Sequence, residues 1–253
     1  MHKKMLLLIV AFGLCSCAVS SVKNTDDGGL EAYNRAMFKF NYQLDKKIVK
    51  PIAQGYKKIT NQFIRNRVSS FFNNIEEPRY MANNLLQGEI KNTGISAGRF
   101  LINSTLGLLG TFDVASGWGL DKKKNTFDAT LAKYCIPDGP LVVVPAVGFS
   151  TPRHMVGWFA DSYTSPLYWS VANSDTEKST IALVGATGVK YVNLRAENMD
   201  LLDGLEQSSV DYYEATKSAF MQNRKKFISL CSKNEHSDDV LSYDFDFEEE
   251  FDD

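Results

Sequence analysis

From Leu30 to Ile48 apolar side chains return at three- and four-residue steps, at Leu30, Tyr33, Met37, Phe40, Leu44 and Ile48, while Glu31, Asn34, Arg35 and Lys46 fall elsewhere. This is the period of an α-helix with one oily and one polar face. It is expected to end before Pro51, whose ring and missing N–H oppose continuation. Val68, Phe71, Phe72 and Ile75 repeat the pattern, Glu76-Glu77-Pro78 predicts a break or kink, and Tyr80, Met81, Leu85 and Leu86 carry it on to Gly88. Two further helical segments, about 175–203 and 207–232, close the body.

Strand signals are sparse. Leu141-Val142-Val143-Val144-Pro145, behind Gly139-Pro140, is β-branched, and Pro145 restricts it to an edge or terminus. Residues 110–124, with Gly110, Gly117, Gly119 and the run Lys122-Lys123-Lys124, read as loop. The expected fold class is therefore mainly α, with at most a small β-hairpin or strand element. The stretch from Gly94 to Leu109, broken by Arg99 and Asn103, is the most apolar of the body. It reads either as a buried helix or as one lying against acyl chains.

The beginning of the chain is an export signal. His2-Lys3-Lys4 precede an uncharged apolar run from Met5 to Leu14, shorter than the roughly 20 residues needed to span a bilayer. Leu14-Cys15-Ser16-Cys17 then places a branched aliphatic three residues before a cysteine and a small residue directly before it. That is the pattern of bacterial lipoprotein processing. Cys15 fits less well, because Leu14 would sit at the cleaved bond, so Cys17 is the expected lipidation site. An ordinary secretory signal with an incidental cysteine is the alternative. Ala18, rather than Asp, follows the cysteine, which favours outer-membrane sorting, and acyl chains on Cys17, palmitate among them, would anchor the protein stably.

The chain divides into a signal peptide at 1–16, a lipidated tether at 17–29, a helical domain at 30–233 and an acidic tail at 234–253. With 44% hydrophobic and 12% aromatic residues it has the means to fold. The net charge of −2 conceals an asymmetry: Glu235 to Asp253 holds ten acidic residues and no Lys or Arg. Without that tail and the two signal lysines, 26 basic residues face 20 acidic ones. The tail is expected to be disordered, either as a solubilising extension or as an interaction segment. Nothing points to nucleic acid, and the basic excess suits anionic headgroups only weakly.

Once the signal is removed and Cys17 modified, Cys135 and Cys231 remain. In an oxidising periplasm they form a possible disulfide, or else stay buried or free thiols. A metal site is not expected, since His2, His154 and His236 are the only histidines and no paired-cysteine motif occurs. Gly94-Ile95-Ser96-Ala97-Gly98 matches the Gly-x-Ser-x-Gly elbow of serine hydrolases, but the elbow needs a strand before the serine. Gln87 to Thr93 has no strand character, so the two glycines read instead as small residues for close helix packing, and no enzyme is expected.

Several segments together resemble the MlaA (VacJ) family of outer-membrane phospholipid-transport lipoproteins. They are Glu31-Ala-Tyr-Asn-Arg-Ala-Met-Phe-Lys-Phe-Asn-Tyr42, Asn74-Ile-Glu-Glu-Pro78 with Asn83 to Gly88, Arg99-Phe-Leu-Ile-Asn-Ser-Thr-Leu-Gly107, and Thr111-Phe-Asp-Val-Ala115. Gly139-Pro140, Leu141 to Pro145 and Ser150-Thr-Pro-Arg153 follow. The resemblance implies a ring of amphipathic helices in one membrane leaflet, around a polar-lined passage that takes mislocalised phospholipid from the outer leaflet and maintains lipid asymmetry. The partners it implies are phospholipids, a trimeric porin and a soluble periplasmic carrier of an ATP-driven system, with no cofactor. A membrane-seated scaffold without transport is the alternative, and a lipase a distant third.

The chain departs from the family at Tyr134-Cys135-Ile136-Pro137-Asp138-Gly139-Pro140, where relatives often carry a glycine-rich loop. Pro137, Gly139 and Pro140 are the candidate hinge or channel-loop positions, with freedom reduced by proline and Ile136. His154 stands where relatives frequently have an acid. Trp118, Trp158 and Trp169 either sit at headgroup level or pack internally.

Overall fold

The computed structural model describes residues 28–172 and 177–232. The signal peptide, Cys17, the tether up to Asp27 and the acidic tail lie outside the described residues. The first helix, α1 (Gly28–Leu44), starts inside the expected tether and runs through a single π turn (Asp45–Val49) into α2 (Lys50–Ile59). Pro51 therefore does not end the helical path, contrary to expectation. It lies in the first turn of α2, where its missing N–H costs least, and the wider turn ahead of it displaces the carbonyl its ring would strike. Arg195 clasps the π turn from outside, with Nε and Nη2 each donating to Asp45 at 2.9 Å.

Helix α3 (Gln62–Leu86) is capped by Asn61, whose side chain accepts from the Ile64 N–H at 2.9 Å. It continues through Pro78, so of the break or kink expected at Glu76-Glu77-Pro78 the break does not occur. Bonds on both sides of the proline keep the helical path: Glu77 receives Arg99 from the next helix, and Glu76 receives Arg79 and Tyr80 from the following turn. That next helix, α4 (Ile90–Thr105), returns antiparallel to α3 as a hairpin, with Asn74 bonded to Ser104 at 2.9 Å and Arg99 to Glu77 at 2.6 Å. Gly110, at φ +88°, closes the turn after α4 directly against Asn74, where a Cβ would come within 2.3 Å of that side chain.

The expected loop 110–124 contains one helical turn, α5 (Val114–Gly117), capped by Asp113. Three short helices go unmarked by apolar periodicity: α6 (Phe127–Lys133), α7 (Pro152–Thr164) and α8 (Pro166–Ala172). Their start signals were present, since Thr126 and Thr151 are N-caps and Pro152 occupies the first turn of α7. Helices α9 (Glu177–Glu197), α10 (Met199–Ser208) and α11 (Tyr212–Ser232) complete the described chain. No described helix is long and apolar enough to cross a membrane.

The β element is a hairpin of β1 (Val142–Val144) and β2 (Gly148–Ser150), with Val143 opposite Phe149. The other edge of β1 is closed by side chains of α1. Asn34 donates to the Leu141 carbonyl at 3.0 Å and accepts from the Val143 N–H at 2.8 Å. Asn41, two turns on, does the same for the Val144 carbonyl and the Ala146 N–H, at 2.9 and 2.7 Å. Two amides thus stand in for a third strand and leave no open edge there.

Candidate functional site

Among the described residues, seventeen polar or charged side chains are buried and only eleven apolar ones, mostly Ala, Met and single aromatics. The large apolar residues are on the outside. On α1, Asn34 is buried whereas Leu30, Tyr33, Phe40 and, beyond it, Ile48 are exposed. On α4, Ser96, Arg99 and Asn103 face inward, while Leu101 and, in the turn beyond the helix, Leu106, Leu108 and Leu109 are exposed by 59 to 71%. Water would penalise this arrangement, since burial of a Leu-sized side chain is worth about 1.5–3 kcal/mol. A hydrocarbon surrounding removes the penalty and makes the outward leucines favourable.

The inward charges are paired across elements. Arg99 spends its whole guanidinium: Nε donates to Glu77 at 2.6 Å, Nη1 to Ser116 Oγ at 2.9 Å and the Leu120 carbonyl at 2.5 Å, and Nη2 to Asp113 at 2.9 Å. Burial dominates at Glu77 and raises its pKa even with Arg99 alongside. At Asp113 burial pulls upward too, but bonds from Ser116 and Arg99 outweigh it and hold the carboxyl below its usual range. A second cluster joins α6, α7 and α11: Arg153 and Arg224 both bind Asp128, at 2.9 and 2.5 Å, and Arg224 also binds Asp138. Desolvation makes such buried pairs costly unless their geometry is good, and each cluster leaves one buried atom without a hydrogen bond, Glu77 Oε2 in the first and Arg153 Nη2 in the second.

A cavity of about 420 Å³ lies between α3, α7, α8 and α9, within the size range of small-molecule sites. One part of its wall is apolar, formed by Phe72, Ile75, Trp158, Leu167, Leu183 and Leu194. Another carries Glu76, Arg79, Asp161 and Lys190, with the hydroxyls of Ser162, Ser165 and Thr187. Glu76 accepts from Lys190 on one oxygen and from Arg79 and Tyr80 on the other. Burial pulls its pKa up, and Arg79 and Lys190 reverse this to hold it low. Asp161 accepts from Asn83 at 2.9 Å and from the Phe127 N–H at 3.1 Å, yet burial still raises its pKa. A wall with an oily part and a charged part fits an amphiphile.

The family model described as MlaA lipoprotein matches residues 26–227. The chain belongs to the MlaA lipoprotein family. The intermembrane phospholipid transport system lipoprotein MlaA of Escherichia coli is 34% identical over 238 residues, 89% of each chain. That of Haemophilus influenzae is 30% identical over 246 residues, covering 92% of this chain and 95% of the relative. A structure solved in work on the structural basis for maintenance of bacterial outer membrane lipid asymmetry superposes with a TM-score of 0.68 at 32% identity. It covers 81% of this chain and all of that one. The mainly α architecture with a small antiparallel hairpin is thus the MlaA fold.

Within this MlaA chain, Cys17 lies outside the described residues. Cys135 and Cys231 are bonded to one another, with Cα atoms 5.0 Å apart, tying the segment after α6 to the last turn of α11. Pro137, Gly139 and Pro140 do not line the 420 Å³ cavity. Their loop is fastened by that bond, by Asp138 against Arg224 and Arg153, and by Arg153 Nη1 on the Ile136 carbonyl at 2.7 Å. Trp118, Trp158 and Trp169 are all more than a third exposed, although Trp158 also lines the cavity and packs on Phe159, and Trp169 Nε1 donates to the Tyr163 carbonyl at 2.5 Å. Ser96 lies mid-helix and fully buried, far from the geometry of a nucleophile elbow. Close packing does not explain its glycines either: a Cβ on Gly94 would meet open space, and one on Gly98 only Leu120 at 3.6 Å. His154 bonds Ser150 at 2.9 Å and is held below its usual pKa by burial. The inward charges escaped the sequence reading, although an Arg inside an apolar run, as at Arg99, is the signal that marks them.

Proposed function

We propose that this protein is a non-enzymatic phospholipid-transport lipoprotein. Lipidated at Cys17, it sits on the periplasmic side of the outer membrane, with its helical body in one leaflet. The observation that carries the reading is the inverted polarity of the body, charges inside and leucines outside, around a cavity whose wall is part oily and part charged.

The physical task is severe. A two-tailed phospholipid carries roughly 30 methylenes at about 0.8 kcal/mol each. Full exposure costs on the order of 24 kcal/mol, which limits spontaneous escape to ~10⁻⁵ per second. A body that keeps tails in apolar surroundings and headgroups in a polar cavity lowers that barrier with no chemical step. The partners that fit this role are a trimeric porin holding the body in place, and a soluble periplasmic carrier of an ATP-driven system that accepts the lipid.

Two measurements test the reading. Deleting the gene in its own host is expected to raise phospholipid in the outer leaflet, and no rise would overturn retrograde transport. Reconstituted protein is expected to pass labelled phospholipid to a soluble acceptor, whereas a scaffold would leave the label in the membrane.

A further inference from the structure

We infer that the cavity between α3, α7, α8 and α9 selects zwitterionic phosphoethanolamine-type headgroups over anionic ones, with Lys190 receiving the phosphate and Glu76 the ammonium. The inference rests on the lipid-transport reading and deepens it.

Its basis is the charge balance of the wall. Arg79 and Lys190 supply two positive charges, Glu76 and Asp161 two negative ones, and the remaining polar lining is neutral hydroxyl. The four are not equally committed. Arg79 lies within 3.8 Å of Asp161 and donates to Glu76 Oε2 at 2.9 Å, an oxygen that Tyr80 also binds at 2.6 Å. Asp161 is further held by Asn83 and the Phe127 N–H. Lys190, by contrast, makes one ion pair among the described residues, to Glu76 Oε1, and its side chain is 42% exposed. The Lys190–Glu76 bond links α9 to α3 at the cavity wall and is the one that can open while the rest stays in place.

A zwitterion can replace that bond charge for charge. Its phosphate takes the lysine, its ammonium takes Glu76 Oε1, and no charge remains unmatched. An anionic lipid satisfies Lys190 but leaves Glu76 Oε1 without a partner and Arg79 as the one cation between the Glu76 and Asp161 carboxylates, so the wall keeps one unmatched negative charge where water is largely withdrawn, which is unfavourable.

The test exposes the full-length lipoprotein, extracted in mild detergent, to equal amounts of phosphatidylethanolamine and phosphatidylglycerol with identical acyl chains, and reads the retained lipid by native mass spectrometry. About tenfold enrichment of the zwitterionic lipid is expected. Glu76→Gln, which leaves the wall one charge positive, is expected to reverse the preference. Lys190→Met, at a position 42% exposed, is expected to reject the anionic lipid more strongly still. Equal retention of both lipids by the native protein, or a preference that neither substitution moves, overturns the headgroup assignment while leaving transport intact. Retention of neither lipid removes the transport reading itself.

Discussion

Arg99 and Glu77 meet at 2.6 Å on two antiparallel helices, their side chains 1% and 0% exposed, while Leu101, two residues past Arg99, is 63% exposed. The pair forms the polar spine of the α3–α4 hairpin, and it is buried by helices whose outer faces are oily. Arg99→Met strands the Glu77 carboxylate inside the hairpin and also releases Asp113. A loss of about 3–5 kcal/mol is expected, measured by denaturant titration in detergent. A loss below about 1 kcal/mol would mean that the spine contributes little to folding.

Asn34 and Asn41 seal the free edge of β1 from α1. Asn34→Leu keeps the volume but leaves the buried Val143 N–H without an acceptor, at an expected cost of about 1–3 kcal/mol. Hydrogen exchange at Val143 and Ala146 separates the two amides: Asn34→Leu is expected to speed exchange at the first and Asn41→Leu at the second.

The Cys135–Cys231 bond closes a loop with a sequence separation of 96 residues. In the chain-entropy account, cross-links of this size contribute about 4–5 kcal/mol. Cys135→Ser, Cys231→Ser and the double substitution are expected to lower stability equally, because each removes the same bond. The native chain, and none of the three variants, is expected to shift on a non-reducing gel when dithiothreitol is added.

His154 packs against Phe220, bonds Ser150 and lies within the field of Asp128, Asp138, Asp161 and Arg224. Burial outweighs the three acids and holds it below the usual 6.5. Its neutral form contributes stability above pH 6.5, and that contribution is lost as pH falls, because the unfolded chain takes the proton first. His154→Gln is expected to flatten the fall in melting temperature between pH 7 and pH 5, and an unchanged slope would remove this role.

Leu101, Leu106, Leu108 and Leu109 cluster where α4 ends and the chain turns, and all four are more than half exposed. Replacing Leu106, Leu108 and Leu109 together by Ser is expected to leave folding in detergent within about 1 kcal/mol of the native protein, as exposed positions do. The same change is expected to weaken flotation with vesicles by the unlipidated body. Equal flotation would place this edge outside the bilayer.

Helical periodicity at Leu30 to Ile48 and at Val68 to Leu86 reflects backbone geometry and was legible from the sequence alone, as were the apolar character of 94–109 and the first strand of the hairpin at Val142 to Val144. A stripe of apolar residues every three or four positions specifies a helix with two faces, and it is silent about which face turns inward. That was decided by the fold. Asn34, Glu77, Arg99 and Arg153 go inside because each finds partners far away in the chain, and the leucines are left outside. The proline breaks failed for the same reason. Pro51 and Pro78 are local signals, overruled by a π turn clasped by Arg195 and by the ion pairs of Glu76 and Glu77 with Arg79 and Arg99. The charged part of the cavity wall brings Glu76 and Arg79 to Asp161 and Lys190, more than a hundred residues from Glu76 in the last case. Periodicity describes one element at a time, so only the packing of α3 against α7, α8 and α9 assembles that wall.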